Sequence, residues 1–463
     1  MATDESFSVA ALRKMRERGK VILDPRDPMQ AARALVTARF VSDDHRLLHR
    51  HRGTFWRFQL NHYASADQET VRAEVWTFLE QAQRRGQGNK LVPFKPNRAR
   101  VSDVLDALAS ACSLDNRIDP PTWLNGANEL PAAAEMLPLA NGLLHLPSRE
   151  LYPLTPGYFG LTASDVAFDP DAPEPKHWLA FLSDLWPQDA EAIVTLQDWF
   201  GYTLSPDTSQ QKILFIVGPR RSGKGTIARV LTALVGRDSV VNPTLASLQT
   251  TFGLAPLIGK PLAFITDARL GGRSDQAAII ERLLSISGED ALTIDRKYMS
   301  PWTGRLSTRF AILTNELPRI TDTSGALVGR LIVLVLVHSF FGREDAALTT
   351  RLLTELPGIL NWALVGYRRL RARGYFVQPA SASDAIEQLE MLASPIKAFM
   401  DDRCDETWRA WCDAVGRKEA GTKQTFGRDL RTAVPSVRTT RPRDGDDRHR
   451  VYEGIGLKQP GEQ

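Results

Sequence analysis

From Gln210 onward, four short apolar runs punctuate the chain: ILFIV, LAFIT, FAILT and LIVLVLV. None alternates apolar with polar positions, and patterns of helical period separate the first three. Continuous apolar strands with intervening helices predict a mostly parallel sheet buried on both faces. The run Leu331–Val337 is far too short to span a bilayer and reads as a buried strand. The fold class expected for this part is therefore α/β.

Up to about residue 135 the pattern is mixed α+β. LLHRHRGTFWRFQLNHY alternates around Arg52-Gly53 and predicts a hairpin. SADQETVRAEVWTFLEQAQRR predicts a helix, with Ser65 and Gln68 at capping-box spacing and Val71, Val75, Phe78, Leu79 and Ala82 on one face. A second helix is expected over RARVSDVLDALASAC. MLPLANGLLHLPSRELYPLTPGYF has the short runs and turn residues of small strands, and the proline- and acid-rich AFDPDAPEPKHW reads as a connection. Helices are expected over WLAFLSDLW and AEAIVTLQDWFGYTL, and again after Tyr375, beyond which the chain becomes basic.

Composition narrows the class only slightly. With 463 residues the chain exceeds one ordinary core, and 43% apolar with 24% charged residues is globular rather than disordered. A net charge of +4 gives no overall electrostatic case for nucleic acid, so any basic site is local. The three cysteines, Cys112, Cys404 and Cys412, form no C-x-x-C pair, which fits a reducing compartment. The N-terminus lacks an apolar core of signal-peptide length, so the expected location is cytoplasmic, without membrane. His45, His49, His51 and His62 crowd one region, where HRHR reads as an exposed hairpin rather than a zinc site. Phe55, Trp56 and Phe58 on that hairpin read as core.

The chemistry-bearing stretch begins at ILFIV. Gly218, Pro219, Arg220, Arg221, Ser222, Gly223, Lys224, Gly225 and Thr226 match G-x-x-x-x-G-K, with threonine one place later than the strict pattern. A helix follows, with Ile227, Val230, Leu231, Leu234 and Val235 in one stripe and Gly236 at its stop. Glycines let backbone N–H groups turn toward phosphate oxygens, and Lys224 is expected to reach the β- and γ-phosphates of ATP. Gly225 stands where serine or threonine ordinarily holds Mg²⁺; Thr226 is the alternative ligand, or a contact to the α-phosphate. SGKGT is also the spelling of nucleoside monophosphate kinases, but there the loop lies near the N-terminus and here it begins only at Gly218.

PLAFITD ends in Asp267, where an acid at a strand tip holds Mg²⁺ or the attacking water. Ala268 follows, so the usual second acid is missing, and Glu289 and Asp290 are candidates for the catalytic base. FAILTN ends in Asn315, an amide able to orient water or sense the γ-phosphate. Arg330 opens LIVLVLV and reads either as a structural ion pair or as an arginine finger toward a neighbouring subunit.

The ordered set GPRRSGKGT, FITD, SGEDALTIDRKY, ILTNELPRI and GRLIVL resembles the superfamily 3 helicases. More narrowly it resembles the phage and plasmid primase-helicase group, related to the poxvirus replication ATPase. ANGLLHL, AFDPDAPEPKHW and LQDWFGYTL upstream, and DAALTTRLLTELPGILNWALVGYRRL downstream, carry the resemblance over about residues 135–463. It implies a P-loop, AAA+-like ATPase core that assembles as a ring, usually a homo-hexamer, with ATP and Mg²⁺ between subunits and single-stranded DNA in the pore. Lys224 and Thr226 then match Walker A, Asp267 Walker B, Asn315 motif C, and Arg330 the finger. TIDRKYMSPWTGR stands at the place of the pore hairpin, so Arg296, Lys297 and Tyr298 are the candidate DNA-gripping residues; cations and an aromatic ring suit a single strand regardless of sequence.

The resemblance implies four parts: an N-terminal α+β region 1–135, a family-specific segment 136–205, the ATPase 206–375, and a C-terminal helical and winged-helix module 376–463. In the last, a helix around FGRDLRTAV precedes two strand-like runs joined by RDGDDR, and Arg438, Arg441, Arg443, Arg448 and Arg450 are candidates for duplex phosphates. The first part shows no acidic primase triad or zinc-binding cysteine set, so the chain reads as the helicase half without a primer-making site. A separate primase or other replication proteins are then candidate partners. Two rival readings stand beside the helicase: an ATP-dependent DNA-binding initiator or regulator that does not unwind, and a nucleotide kinase.

Overall fold

The computed structural model describes residues 21–42, 45–124, 130–266, 276–318 and 325–393, and beyond them Cys412, Leu430 and four short strand segments between 438 and 453. The chain divides into two compact units, residues 1–170 with 296–302, and residues 171–295 with 303–463. The segment expected over 136–205 thus divides, its small strands in the first unit and its helices in the second.

In the first unit, helix α1 (Pro28–Arg39) precedes an antiparallel sheet of β1 (Leu48–His51), β2 (Thr54–Gln59) and β3 (His62–Ala66). Helices α2 (Gln68–Gln81) and α3 (Arg98–Ala111) follow. The β1–β2 turn falls on Arg52 and Gly53, both at positive φ (47° and 76°), as a two-residue turn matching strand twist requires. Leu35, Phe55, Val75, Phe78, Leu79 and Leu105 bury the helix faces against the sheet. The small strands β4 (Met136–Leu139), β5 (Gly142–His145) and β6 (Leu151–Tyr152) form a second antiparallel sheet.

Two local expectations are corrected. Ser65 does not cap α2: it lies inside β3, paired with Trp56, because the strand runs on to Ala66. Asp67 caps instead, its carboxylate accepting from the Glu69 N–H at 3.2 Å. The HRHR hairpin is not an exposed one. His49 and His51 are only 4% and 3% exposed, because their face of β1 is covered by Tyr63 and Phe159. Phe55 and Trp56 are buried as expected, with Phe58 packed partly against Trp56 and Tyr63. No group of His, Cys, Asp and Glu side chains able to hold a metal occurs among the described residues.

The second unit opens with α4 (Lys176–Leu185) and α5 (Ala190–Thr203). Then come β7 (Ile213–Val217), α6 (Lys224–Val235), β8 (Val240–Val241), β9 (Leu262–Thr266), α7 (Gln276–Ser287) and the hairpin strands β10 (Ala291–Arg296) and β11 (Met299–Arg305), of which residues 296–302 belong to the first unit. β12 (Arg309–Thr314), β13 (Leu331–Val335), α8 (Leu348–Thr354), α9 (Leu356–Arg373) and α10 (Ser383–Ala393) complete it. All four apolar runs enter one parallel sheet of order β8-β9-β12-β7-β13; the two-residue edge strand β8 had no sequence signal. α5 and α9 cross closely at two glycines. A Cβ on Gly201 would stand 2.1 Å from the Tyr367 nitrogen, and one on Gly366 would stand 2.1 Å from the Gln197 carbonyl oxygen. Beside that crossing the buried Asp198 carboxylate accepts from Arg369 (2.8 Å) and Arg373 (2.6 Å), both on α9.

Toward the C-terminus, residues 438–440 pair antiparallel with 451–453, and 443–444 with 447–448, the hairpin expected around RDGDDR. Apart from Leu430, the helix expected over FGRDLRTAV lies outside the described residues. No helix among the described residues is long and apolar enough to cross a membrane.

Candidate functional site

The phosphate-loop motif occupies the carboxyl edge of the sheet. β7 is buried along its whole length and is flanked by β12 and β13. Beyond Val217 the chain turns through Arg221 (φ 58°) and Gly223 (φ 93°), and α6 begins at Lys224. The Thr226 and Ile227 N–H groups close on the Gly223 carbonyl. Two glycines are required here: a Cβ on Gly218 would sit 2.5 Å from the Leu336 carbonyl oxygen, and Gly223 holds φ 93°, a conformation strained for any other residue. The result is a backbone turn whose inner side can approach an anion closely, at the N-terminus of a helix.

Lys224 crosses this turn. Its ammonium donates to the carbonyls of Gly218 (2.7 Å) and Pro219 (2.8 Å) and to the Ser222 hydroxyl (3.1 Å). Burial lowers its pKa from the usual lysine value. Phosphate oxygens are stronger acceptors than carbonyls for an ammonium, so an arriving polyphosphate can take these three donors over. On its outer side the loop is held by the segment after β13: the Ser339 hydroxyl donates to the Arg220 carbonyl (2.8 Å) and the Phe340 N–H to that of Arg221 (3.0 Å). Thr226 is buried, and its hydroxyl accepts from Arg229 at 3.2 Å. Gly225 is exposed.

Strand order builds the rest of the edge. From β7 the chain leaves toward β8, and from β12 it leaves toward β13, so right-handed crossovers put the two connections on opposite faces of the sheet. A crevice outside the carboxyl ends of β7 and β12 is where open α/β sheets bind ligands. Asn315, half-buried, follows the end of β12 directly, and the Gly218 N–H donates to the neighbouring Thr314 carbonyl at 3.3 Å. Beyond β12 lies β9, whose last residue Thr266 pairs with Leu313 at the same edge. Asp267 itself, the next residue, lies outside the described residues.

Arg330 and the acids proposed as base stand at the other edge. Ile213 pairs with Leu331, so Arg330 lies at the amino end of β13, separated from its own loop by the length of the sheet. Its guanidinium donates to the Leu284 carbonyl (2.5 Å) and the Ser287 hydroxyl (2.7 Å). Glu289 accepts from the hydroxyl of Thr208, which precedes β7, so it too is at the amino edge and not at its own loop, and Asp290 follows it. Lys212, also there, donates to the Gly329 carbonyl at 2.7 Å; burial and the nearby Arg330 lower its pKa. A further cation escaped the sequence reading. Arg309 opens β12 fully buried, donating to the Ser205 and Asp207 carbonyls with its guanidinium 4.4 Å from the Tyr202 ring centre. The only signal for it in the sequence was a charged residue opening an apolar run, the same as for Arg330.

The hairpin β10–β11 turns at Lys297 and Tyr298. Tyr298 has φ 60°, is 93% exposed, and lies 5.0 Å below the Lys297 ammonium. Arg296 differs from these two: it is half-buried and donates to the Ser300 carbonyl (2.8 Å) and the Arg52 carbonyl (2.9 Å). Of the C-terminal arginines, Arg438, Arg443 and Arg448 fall in the paired strands, while Arg441 and Arg450 lie outside the described residues.

Residues 37–187 match the family described as D5 N terminal like, and residues 216–330 match a family of unknown function, DUF5906. The second match spans the loop, the Asn315 strand and Arg330. Two solved structures share the fold. "The apo structure of NrS-1 C terminal region" is 14% identical with a TM-score of 0.53, covering 93% of this chain and 100% of that one. The A form apo structure of the same region is 14% identical with a TM-score of 0.50, covering 88% and 86%.

Proposed function

We propose that this chain is an ATP-hydrolysing motor of the superfamily 3 helicase type, working as a ring on single-stranded DNA in the replication of a phage, plasmid or integrated element. The observation that carries the reading is the sheet order. It sets the phosphate loop on β7, Asn315 at the tip of the adjacent β12, and the strand leading to Asp267 next beyond, all at one edge. The D5 N terminal like match over residues 37–187 supports the replication setting.

In this reading the ATP phosphates lie in the turn from Gly218 to Thr226, held by first-turn N–H groups and by Lys224 once it leaves the Gly218 and Pro219 carbonyls. Asn315 orients the attacking water. Asp267 and Thr226 would hold the Mg²⁺ that accompanies ATP, which would supply charge neutralisation at the phosphates; the Thr226 hydroxyl already accepts from Arg229, so Asp267 is the stronger candidate of the two. Arg330 cannot serve its own loop, because five strand residues separate them by about 16 Å. A finger role therefore requires a neighbouring subunit, which is what a homo-hexameric ring provides. Lys297 and Tyr298 grip the strand in the pore, and the C-terminal hairpin belongs to a winged-helix module for duplex DNA.

The deciding experiment is ATP hydrolysis with and without single-stranded DNA, followed by strand displacement on a forked duplex. DNA-stimulated hydrolysis and ATP-dependent displacement are expected. Hydrolysis without displacement would favour an initiator or regulator, and phosphoryl transfer to a nucleoside monophosphate would favour a kinase.

A further inference from the structure

Gly225 leaves bare the corner of the phosphate loop where a serine or threonine hydroxyl ordinarily meets the metal. Arg229 stands one turn further along the same face of α6 (i, i+4), and helix side chains lean toward the N-terminus. Its guanidinium accordingly lies back over the first turn. Nη1 is 3.6 Å from where a Cβ of residue 225 would stand, and Nη2 donates to the Thr226 hydroxyl at 3.2 Å. Leaving aside its two chain neighbours and the local helix backbone, no other atom among the described residues comes within 4 Å of that Cβ position. The guanidinium thus lies in ordinary contact distance of the corner that a serine or threonine hydroxyl would occupy.

The placement of the exposed Arg229 suits an anion. The N-terminus of a helix carries partial positive charge, and a cation in its first turn is repelled by it. Arg220, Arg221 and Lys224 belong to the loop that leads into this turn, Arg221 paired with Glu344 at 3.4 Å, and among the described residues Arg229 forms no ion pair with a carboxylate. A guanidinium carries five donors in a planar fork, and the Thr226 hydroxyl occupies one direction of them. A polyphosphate relieves the repulsion and fills the remaining donors at once.

We infer that Arg229 is a direct ligand of the nucleotide's phosphate chain. It supplies from the protein part of the positive charge that a hydroxyl-held metal supplies in loops with serine or threonine at this place. The inference rests on the phosphate-loop reading above. Its consequence is that ATP binds this chain appreciably without a divalent cation, and that Arg229 carries this metal-independent affinity.

The test is ATP binding to the full chain by calorimetry, in EDTA and in excess Mg²⁺, for wild type, Arg229→Ala, Arg229→Lys and Lys224→Ala. In EDTA, Arg229→Ala should bind ATP about tenfold or more weakly, as loss of a hydrogen bond to a charged group implies. Tripolyphosphate, which has no base or sugar, should show the same loss. Excess Mg²⁺ should narrow the difference, and Arg229→Lys should recover part of it. Unchanged affinity of Arg229→Ala in EDTA, with or without a lower melting temperature, overturns the inference and leaves the guanidinium as a buttress for Thr226. If Lys224→Ala alone loses binding, only the Arg229 assignment falls. If wild type binds ATP no better than Lys224→Ala, the phosphate-loop reading falls and takes this inference with it.

Discussion

Arg330 is tied to Ser287: its guanidinium donates to the serine hydroxyl at 2.7 Å, and to the Leu284 carbonyl one turn earlier. The residue that opens β13 therefore caps the carboxyl end of α7, where carbonyls lack partners and a cation suits the helix dipole. Within three residues α7 gives way to β10, the first strand of the exposed hairpin. An arginine reaching a neighbour's triphosphate must leave this cap. Arg330→Ala should bind ATP within about twofold of wild type while losing turnover, since an arginine finger acts mainly on the transition state. Mixing it with Lys224→Ala should restore activity, because one variant keeps the loop and the other the finger. Absence of complementation in mixed assemblies rejects action between subunits.

Lys224→Ala should remove ATP binding while leaving the fold intact. The ammonium is only half-buried and its present partners are loop carbonyls that water can satisfy. The stability change should stay within about 1 kcal/mol, measured by urea unfolding beside nucleotide binding. A large loss of stability would make the lysine a structural strut.

The α5–α9 crossing should be intolerant. Gly201→Ala and Gly366→Ala each place a methyl group 2.1 Å from backbone of the other helix, and should destabilise by about 3 kcal/mol or more. Gly225→Ala provides the contrast. Among the described residues, chain neighbours and local helix backbone aside, its Cβ meets Arg229 alone, at 3.6 Å, and replacing a helical glycine should gain up to about 1 kcal/mol. Urea midpoints of the three variants check both statements.

Acid should weaken the first unit. Burial pushes the His49 pKa from 6.5 down to about 4, and burial lowers that of His51 as well. The unfolded chain therefore takes up protons first as pH falls. The contribution is fully present above pH 6.5 and is lost progressively between 6.5 and 4, by up to about 3 kcal/mol for His49. Urea unfolding at pH 7.5 and pH 5 should show the drop, and His49→Phe, which keeps a ring against Tyr63 and Phe159, should flatten it.

At the hairpin, Lys297→Ala and Tyr298→Ala should keep basal ATP hydrolysis and lose both its stimulation by single-stranded DNA and strand displacement. Removing the stacking ring or the phosphate-binding ammonium should each weaken DNA binding severalfold, with the lysine variant showing the smaller salt dependence. Displacement at the wild-type rate in both variants would remove the hairpin from the DNA path.

The sequence by itself determined what short-range chemistry encodes. Uninterrupted apolar runs specified β7, β9, β12 and β13; Arg52-Gly53 specified one hairpin, while the one at Lys297-Tyr298 was expected only from the resemblance; the glycine spacing around Lys224 specified the loop and the start of α6. Only the tertiary structure decided what depends on residues distant along the chain. The order of strands brings Asn315 beside the loop and sends Arg330 and Glu289 to the opposite edge. Phe159 folds over His49 and His51, Tyr202 receives Arg309, and Arg229 turns back onto Gly225. Periodicity reports which face of an element is apolar, but not which partner covers it. Burial of a polar side chain is settled by that partner.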